Sequence, residues 1–185
     1  MICGLDEAGC GPLAGPVTAG AAVLPPDFPV GLLRDSKQLS EKKRLLLYDL
    51  ICERAAAQAT AFIWPEEIDR INIRQAALKA MAEAFDRVRK QLPDVTEWRC
   101  LADGNQVPPV AVPCTAVVKG DRLIPEIMAA SILAKTERDR YMLEADKLYP
   151  EYGFRRHKGY PTKEHREICL RIGPSPIHRR SFRLR

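Results

Sequence analysis

Residues 2–16, ICGLDEAGCGPLAGP, limit what this chain can become more than any other stretch. A short apolar run leads into two adjacent carboxylates, Asp6 and Glu7, and then into a turn holding three glycines and two prolines. Successive residues of a strand point to opposite faces. Asp6 and Glu7 can therefore share one site only if the strand ends or bulges there, a bend that Gly9 and Gly11 permit. An acid pair at a strand end, beside exposed backbone N–H groups, can hold a divalent cation against a phosphate. The same residues also read as a charged turn after an edge strand.

Two further acids stand where apolar runs end. Asp103 follows Leu101-Ala102 and precedes Gly104; Asp121 follows Val117-Val118-Lys119-Gly120 and precedes the longest helical pattern. If these ends meet at one edge of a sheet, four carboxylates face one another. Two like charges at ~5 Å repel by roughly 3 kcal/mol at an effective dielectric of 20. Four together require cations or raised pKa values. Two Mg²⁺ or Mn²⁺ ions would cancel that charge through hard oxygen ligands, one activating water and one stabilising a leaving oxygen in phosphodiester hydrolysis. No histidine lies near these acids in sequence, which disfavours a His-based zinc site. The opposing reading, that these are separate turn acids, stays open on spacing alone.

The rest of the pattern implies an α/β domain, a mixed sheet flanked by helices with a helical C-terminal part. Strands are expected at 2–5, 17–24, 59–64 and 98–102. An interrupted or edge strand is expected over 110–118, because Pro113 cannot donate to a ladder. Ser40 should cap a helix over 41–57, Pro65 should open a short one, and Asn72 should cap a longer one ended by Leu92-Pro93. A helix is expected over 124–149, with Ala129, Ala130, Ser131 and Ala134 allowing close approach to its neighbour. An irregular stretch then runs to Pro161, and a last helix spans 162–172. With 185 residues, one domain covering 1–185 is expected.

Charge is unevenly placed. Residues 155–185 hold ten Lys/Arg against Glu164 and Glu167, a net of +8, which leaves −3 for the first 154 residues of a chain whose total is +5. A basic segment at about 150–185 on an acidic-leaning body suggests a polyanion partner. No apolar run approaches the roughly 18 residues of a membrane span. Six scattered cysteines without a CxxC pair suggest reduced thiols, and a cytoplasmic, monomeric protein is the default expectation.

The segments GLDEAGCGPLAGPV, DSKQLSEKKR, PEEID, LADGN, VVKGD, AASILAKTERDR, YGFRRHKGYPTKEH and HRRSF, in that order, resemble bacterial ribonuclease HII over residues 2–182. The resemblance implies a ribonuclease H-like fold, hydrolysis of RNA in RNA–DNA hybrids, and incision 5′ of single ribonucleotides embedded in duplex DNA. It places Asp6, Glu7, Asp103 and Asp121 on the family's metal-binding carboxylates, and Tyr160 on the tyrosine that packs against the sugar at the ribose-to-deoxyribose junction. The related ribonuclease HIII carries Glu where this chain has Asp121. The family usually reads Gly-Arg-Gly where this chain has Gly9-Cys10-Gly11, a loop that senses the 2′-hydroxyl and neighbouring phosphates. A thiol offers one weak donor in place of a charged fork. Weakened cleavage is therefore expected, strengthened by Cys10→Arg; a redox role for Cys10, or compensation elsewhere, are the alternatives.

Further candidates for substrate contact are Ser36, Lys37, Lys119, Lys158 and Asn105. His157 is expected to be structural or to touch phosphate, and Arg138-Asp139-Arg140 to form an ion-paired helix face. Residues 178–182 are expected to hold the tail against the body and touch DNA; Trp64 and Trp98 are expected in the core. Two rivals to the nuclease are a non-catalytic hybrid-binding protein on the same fold and a nuclease acting on DNA alone.

Overall fold

The computed structural model describes residues 1–33 and 40–184. Strands β1 (Ile2–Ala8), β2 (Val17–Val23), β3 (Ala57–Ile63), β4 (Arg99–Asp103) and β5 (Cys114–Val117) form one sheet in the order β3-β2-β1-β4-β5. β1 pairs antiparallel with β2 and parallel with β4, so the C-terminal ends of β1 and β4 lie side by side. The helices are α1 (Glu41–Arg54), α2 (Pro65–Ile71), α3 (Ile73–Gln91), α4 (Gly120–Leu123), α5 (Pro125–Leu148), α6 (Phe154–His157) and α7 (Lys163–Ile172).

Alternation along the strands sorts the core. Cys3, Leu5, Val17, Ala19 and Ala21 face α3, whose Ala76, Ala77, Ala80, Met81, Ala84, Phe85 and Val88 form one buried stripe at helical spacing. The opposite face meets α5, and there the sheet presents glycine. A Cβ on Gly4 would stand 2.1 Å from the Glu126 carbonyl carbon, and one on Gly20 would stand 2.2 Å from the Ala130 oxygen. The backbone of α5 therefore rests directly on β1 and β2, and Ala129, Ala130 and Ala134 keep that contact thin. The small-residue run performs the close approach expected of it.

Several expectations change. The Ala8↔Thr18 pairing carries β1 past both acids without a bulge, so Asp6 and Glu7 stay on opposite faces. Ala55 is already extended, which ends α1 at Arg54 and frees Ala57 to begin β3. The stretch after Pro150 is not wholly irregular: a 3₁₀ turn (Pro150–Tyr152) and α6 lie inside it, separated by Gly153 at φ 68°. β5 begins just after Pro113 and forms an edge, as a missing donor requires. Trp98 is buried edge-on against Phe85, whereas Trp64, just past the end of edge strand β3, is 45% exposed and stacks on Phe62.

Candidate active site

Asp6 sits near the end of β1, Asp103 at the end of β4, and Asp121 in the single turn α4 before α5. A carboxylate oxygen from each falls within 4.8 Å of the other two. Asp6 and Asp121 are buried and Asp103 is half-buried. The Asp121 N–H donates to Asp103 Oδ1 at 3.2 Å, which ties the acid of β4 to that of α4. The Glu7 N–H donates to Asp6 Oδ1 at 2.7 Å, and Ser131 of α5 stands near enough to the same carboxyl group for its hydroxyl to favour the charged form. Burial, and then the Glu7 charge, push the Asp6 carboxyl up to about 8. The hydroxyl works against that shift by favouring the charged form. The thin α5–sheet contact is what brings Ser131 within reach.

Glu7 lies outside this triad, on the α3 side, and lines a 260 Å³ cleft with Cys10, Arg74, Asp103, Asn105 and Gln106. Burial and Asp103 raise its carboxyl above the usual carboxylate range. The Cys10 thiol donates to Glu7 Oε1 at 3.6 Å, and burial followed by the Glu7 charge pushes that thiol up to about 12. Burial and the neighbouring carboxylate both favour the protonated thiol.

The loop from Gly9 to Pro16 is shaped from behind by two buried arginines. Arg179 donates to the carbonyls of Gly9, Cys10, Pro12 and Gly15 at 2.6, 3.2, 2.9 and 2.9 Å. Arg138 donates to those of Ala14, Pro16 and Lys158, each at 3.0 Å. Gly9 has φ 95°, and a Cβ there would stand 2.1 Å from Arg138 Nε, so both the turn and the arginine require glycine. With the carbonyls drawn inward, the Cys10 and Gly11 N–H groups donate to no backbone acceptor among the described residues. The Tyr160 ring lies beside Gly11 and over Lys135 and Arg138, 40% exposed.

The arginines correct two expectations. Asp139 and Arg140 are ion-paired, to Arg44 and Lys135 and to Glu137 respectively, but Arg138 points into the protein and is fully buried. Arg179 belongs to the interior, so the basic tail offers less charge to a polyanion than its composition implies. Lys119, at φ 60°, and Asn105 are exposed next to Asp121 and Asp103 in the chain. The Lys158 ammonium is turned back onto the Arg155 carbonyl. Ser36 and Lys37 lie outside the described residues.

A second cluster, His165, Cys169 and His178, is buried under the tail. The Ser175 N–H donates to His178 Nδ1 at 2.9 Å, which leaves the proton on His178 Nε2 to be given to His165 Nε2 at 3.0 Å. His165 Nδ1 in turn donates to the Tyr160 carbonyl at 2.9 Å. Cys169 Sγ stands 3.1 Å from His178 Nε2. These are hydrogen-bond lengths; metal bonds of ~2.0–2.3 Å would hold tetrahedral ligands roughly 3.3–3.7 Å apart. The cluster is a neutral strut that fixes Tyr160 at one end and delivers Arg179 at the other. His157 is likewise structural, its ring nitrogens engaged by the Tyr152 carbonyl and the Gly159 N–H.

The ribonuclease HII family model matches residues 3–185. The chain belongs to the ribonuclease HII family. A ribonuclease HII from Dechloromonas aromatica is 53% identical over 182 residues, covering 98% of this chain and 90% of that protein. One from Francisella philomiragia is 48% identical over 183 residues, covering 99% and 96%. The ribonuclease H2 structure from Pyrococcus horikoshii superimposes with a TM-score of 0.81 at 26% identity, covering 99% and 94% of the two chains. Ribonuclease HII enzymes are divalent-metal-dependent endonucleases that hydrolyse RNA in RNA–DNA hybrids, and the mixed sheet with its helices is theirs.

Proposed function

We propose that this ribonuclease HII incises 5′ of a single ribonucleotide in duplex DNA as well as cutting longer hybrids, and that Asp6, Asp103 and Asp121, with Glu7 from the cleft side, hold its Mg²⁺ or Mn²⁺ ions. The observation that carries this reading is the convergence of three aspartates from separate elements within 4.8 Å. The donor set suits a hard divalent cation, being all carboxylate oxygen. So does the charge balance, since Asp6 is pushed up to about 8 where no cation stands beside it. Bound ions would supply activation of water and stabilisation of the leaving oxygen.

The chain's own groups do the rest. Ser131 and the Glu7 N–H keep Asp6 oriented, and the Asp121 N–H does the same for Asp103. The Cys10 and Gly11 N–H groups face the substrate from a loop whose carbonyls are already engaged, ready for a phosphate or the 2′-hydroxyl that separates RNA from DNA. Tyr160 beside them offers a flat face to the sugar. Exposed Lys119 and Asn105 lie at the rim for backbone contacts. A purely hybrid-binding role is disfavoured, because acids facing a phosphate weaken binding unless a cation intervenes.

The test is a labelled duplex bearing one ribonucleotide, incubated with Mg²⁺, Mn²⁺ or chelator, beside an all-DNA control. Cleavage should need metal, stop at the ribonucleotide, and fall by at least about 10² in Asp103→Asn. Binding without cleavage in either metal would support the non-catalytic rival, and cutting of the all-DNA duplex the DNA nuclease.

A further inference from the structure

Cys10 leaves the substrate side of the Gly9–Gly11 turn without a cation, and the clamping Arg179 behind it is buried and fully engaged with carbonyls. Within the cleft that Cys10 shares with Glu7 and Asp103, one cation stands among the described lining residues: Arg74. It is exposed, and it makes no ion pair or side-chain hydrogen bond with any described residue, although two carboxylates line the same cleft. Its position is locally unfavourable. Arg74 occupies the first turn of the 19-residue α3, where no acid accompanies it and the helix dipole disfavours a positive charge. An unpaired guanidinium in the cleft that also holds two of the active-site acids is available to an anionic group of a ligand entering that cleft. The guanidinium's fork matches a phosphodiester's two free oxygens, and the α3 N-terminus beside it favours an anion.

We propose that Arg74, from the α3 wall of the cleft, binds the backbone phosphate of the nucleic-acid strand that runs along the Gly9-Cys10-Gly11 turn, supplying the cation that position 10 lacks. The inference rests on the functional reading above and resolves the fate of Cys10: the missing charge is replaced from a neighbouring element. Arg74 positions substrate through a phosphate and touches neither the metal triad nor the loop's internal bonds.

The experiment compares wild type, Arg74→Ala, Arg74→Lys, Cys10→Arg and the double variant Arg74→Ala/Cys10→Arg on the single-ribonucleotide duplex in Mn²⁺, over a range of salt. Arg74→Ala should raise KM roughly tenfold with little change in kcat, the size of one charge-assisted contact, and should lower the slope of log KM against log salt by about one. Arg74→Lys should keep the slope but lose part of the affinity, since it keeps charge and loses the fork. Cys10→Arg should lower KM far more in the Arg74→Ala background than in wild type, because the two cations serve one phosphate. Thermal melts of all variants should coincide with wild type within a few degrees, as both positions face the cleft. An unchanged KM and salt slope in Arg74→Ala, or effects of the two substitutions that simply multiply, would overturn the assignment while metal-dependent cleavage by wild type leaves the functional reading standing. Wild type that cleaves in neither metal removes both.

Discussion

Arg179 Nη2 donates to the Gly9 carbonyl at 2.6 Å, across 170 positions of sequence. Through that bond and three others like it, a residue of the tail holds the turn that follows the catalytic strand. The turn thus owes its shape to the far end of the chain.

Arg179→Ala should therefore be among the most damaging single changes outside the acids. It strips four buried carbonyls of their donor, and unfolding free energy should fall by about 3–5 kcal/mol. Urea denaturation measures this directly. Arg179→Lys, with one point charge for four acceptors, should recover only part. A loss below about 1 kcal/mol for Arg179→Ala would mean the carbonyls find water without cost.

Gly20→Ala tests the contact that sets the active-site face. Its new methyl would meet the Ala130 oxygen at 2.2 Å, so α5 must lift from the sheet. Stability should drop by about 1–3 kcal/mol, and cleavage should suffer even at temperatures where the variant is folded, because Ser131 moves away from Asp6. Activity per folded molecule, read beside a thermal melt, separates the two effects.

Metal binding should release a proton. Without a cation Asp6 is pushed up to about 8, so at pH 7 it is protonated and must ionise to serve as a ligand. Apparent Mn²⁺ affinity should rise with pH, by up to about tenfold per unit, and level off near pH 8. Calorimetry in buffers of different ionisation heat counts the proton. Ser131→Ala, which removes a hydroxyl that favours the ionised form, should weaken Mn²⁺ affinity by about tenfold.

Acid should loosen the tail before it protonates most carboxylates. Burial lowers all three imidazoles, His178 to about 4, so the folded protein keeps them neutral while the unfolded chain takes up protons below about 6.5. Each depressed histidine contributes stability that is complete above pH 6.5 and lost as pH falls toward its folded value. Between pH 6.5 and 5, Tm should drop, by an amount corresponding to roughly 1–2 kcal/mol per strongly depressed group. A flat Tm over that interval would contradict a neutral strut.

The acids were legible in the sequence because each follows an apolar run: Asp6 lies near the end of β1, Asp103 ends β4 and Asp121 lies in the turn after β5, and a parallel β1–β4 pairing brings such positions together. The α3 stripe and the small residues of α5 were legible for the same kind of reason, a period or a size that burial demands. Which face Glu7 takes was not, since it depends on β1 continuing to Ala8 under the pairing of β2. Arg138 and Arg179 were missed because their partners are backbone carbonyls 20 to 170 positions away, and a carbonyl carries no residue identity. A base between two acids, as Arg138 is between Glu137 and Asp139, reads as surface unless its acceptor is known. Cys10 was legible as a departure, but its bond to Glu7 and its place in a cleft with Arg74 needed three dimensions.

Gly9 leaves the ribosome early and Arg179 some 170 peptide bonds later. A growing chain can assemble its sheet and gather its acids, yet the turn that faces the substrate stays unshaped until residue 179 is added. The substrate-facing turn thereby depends on a contact that only residue 179 can supply.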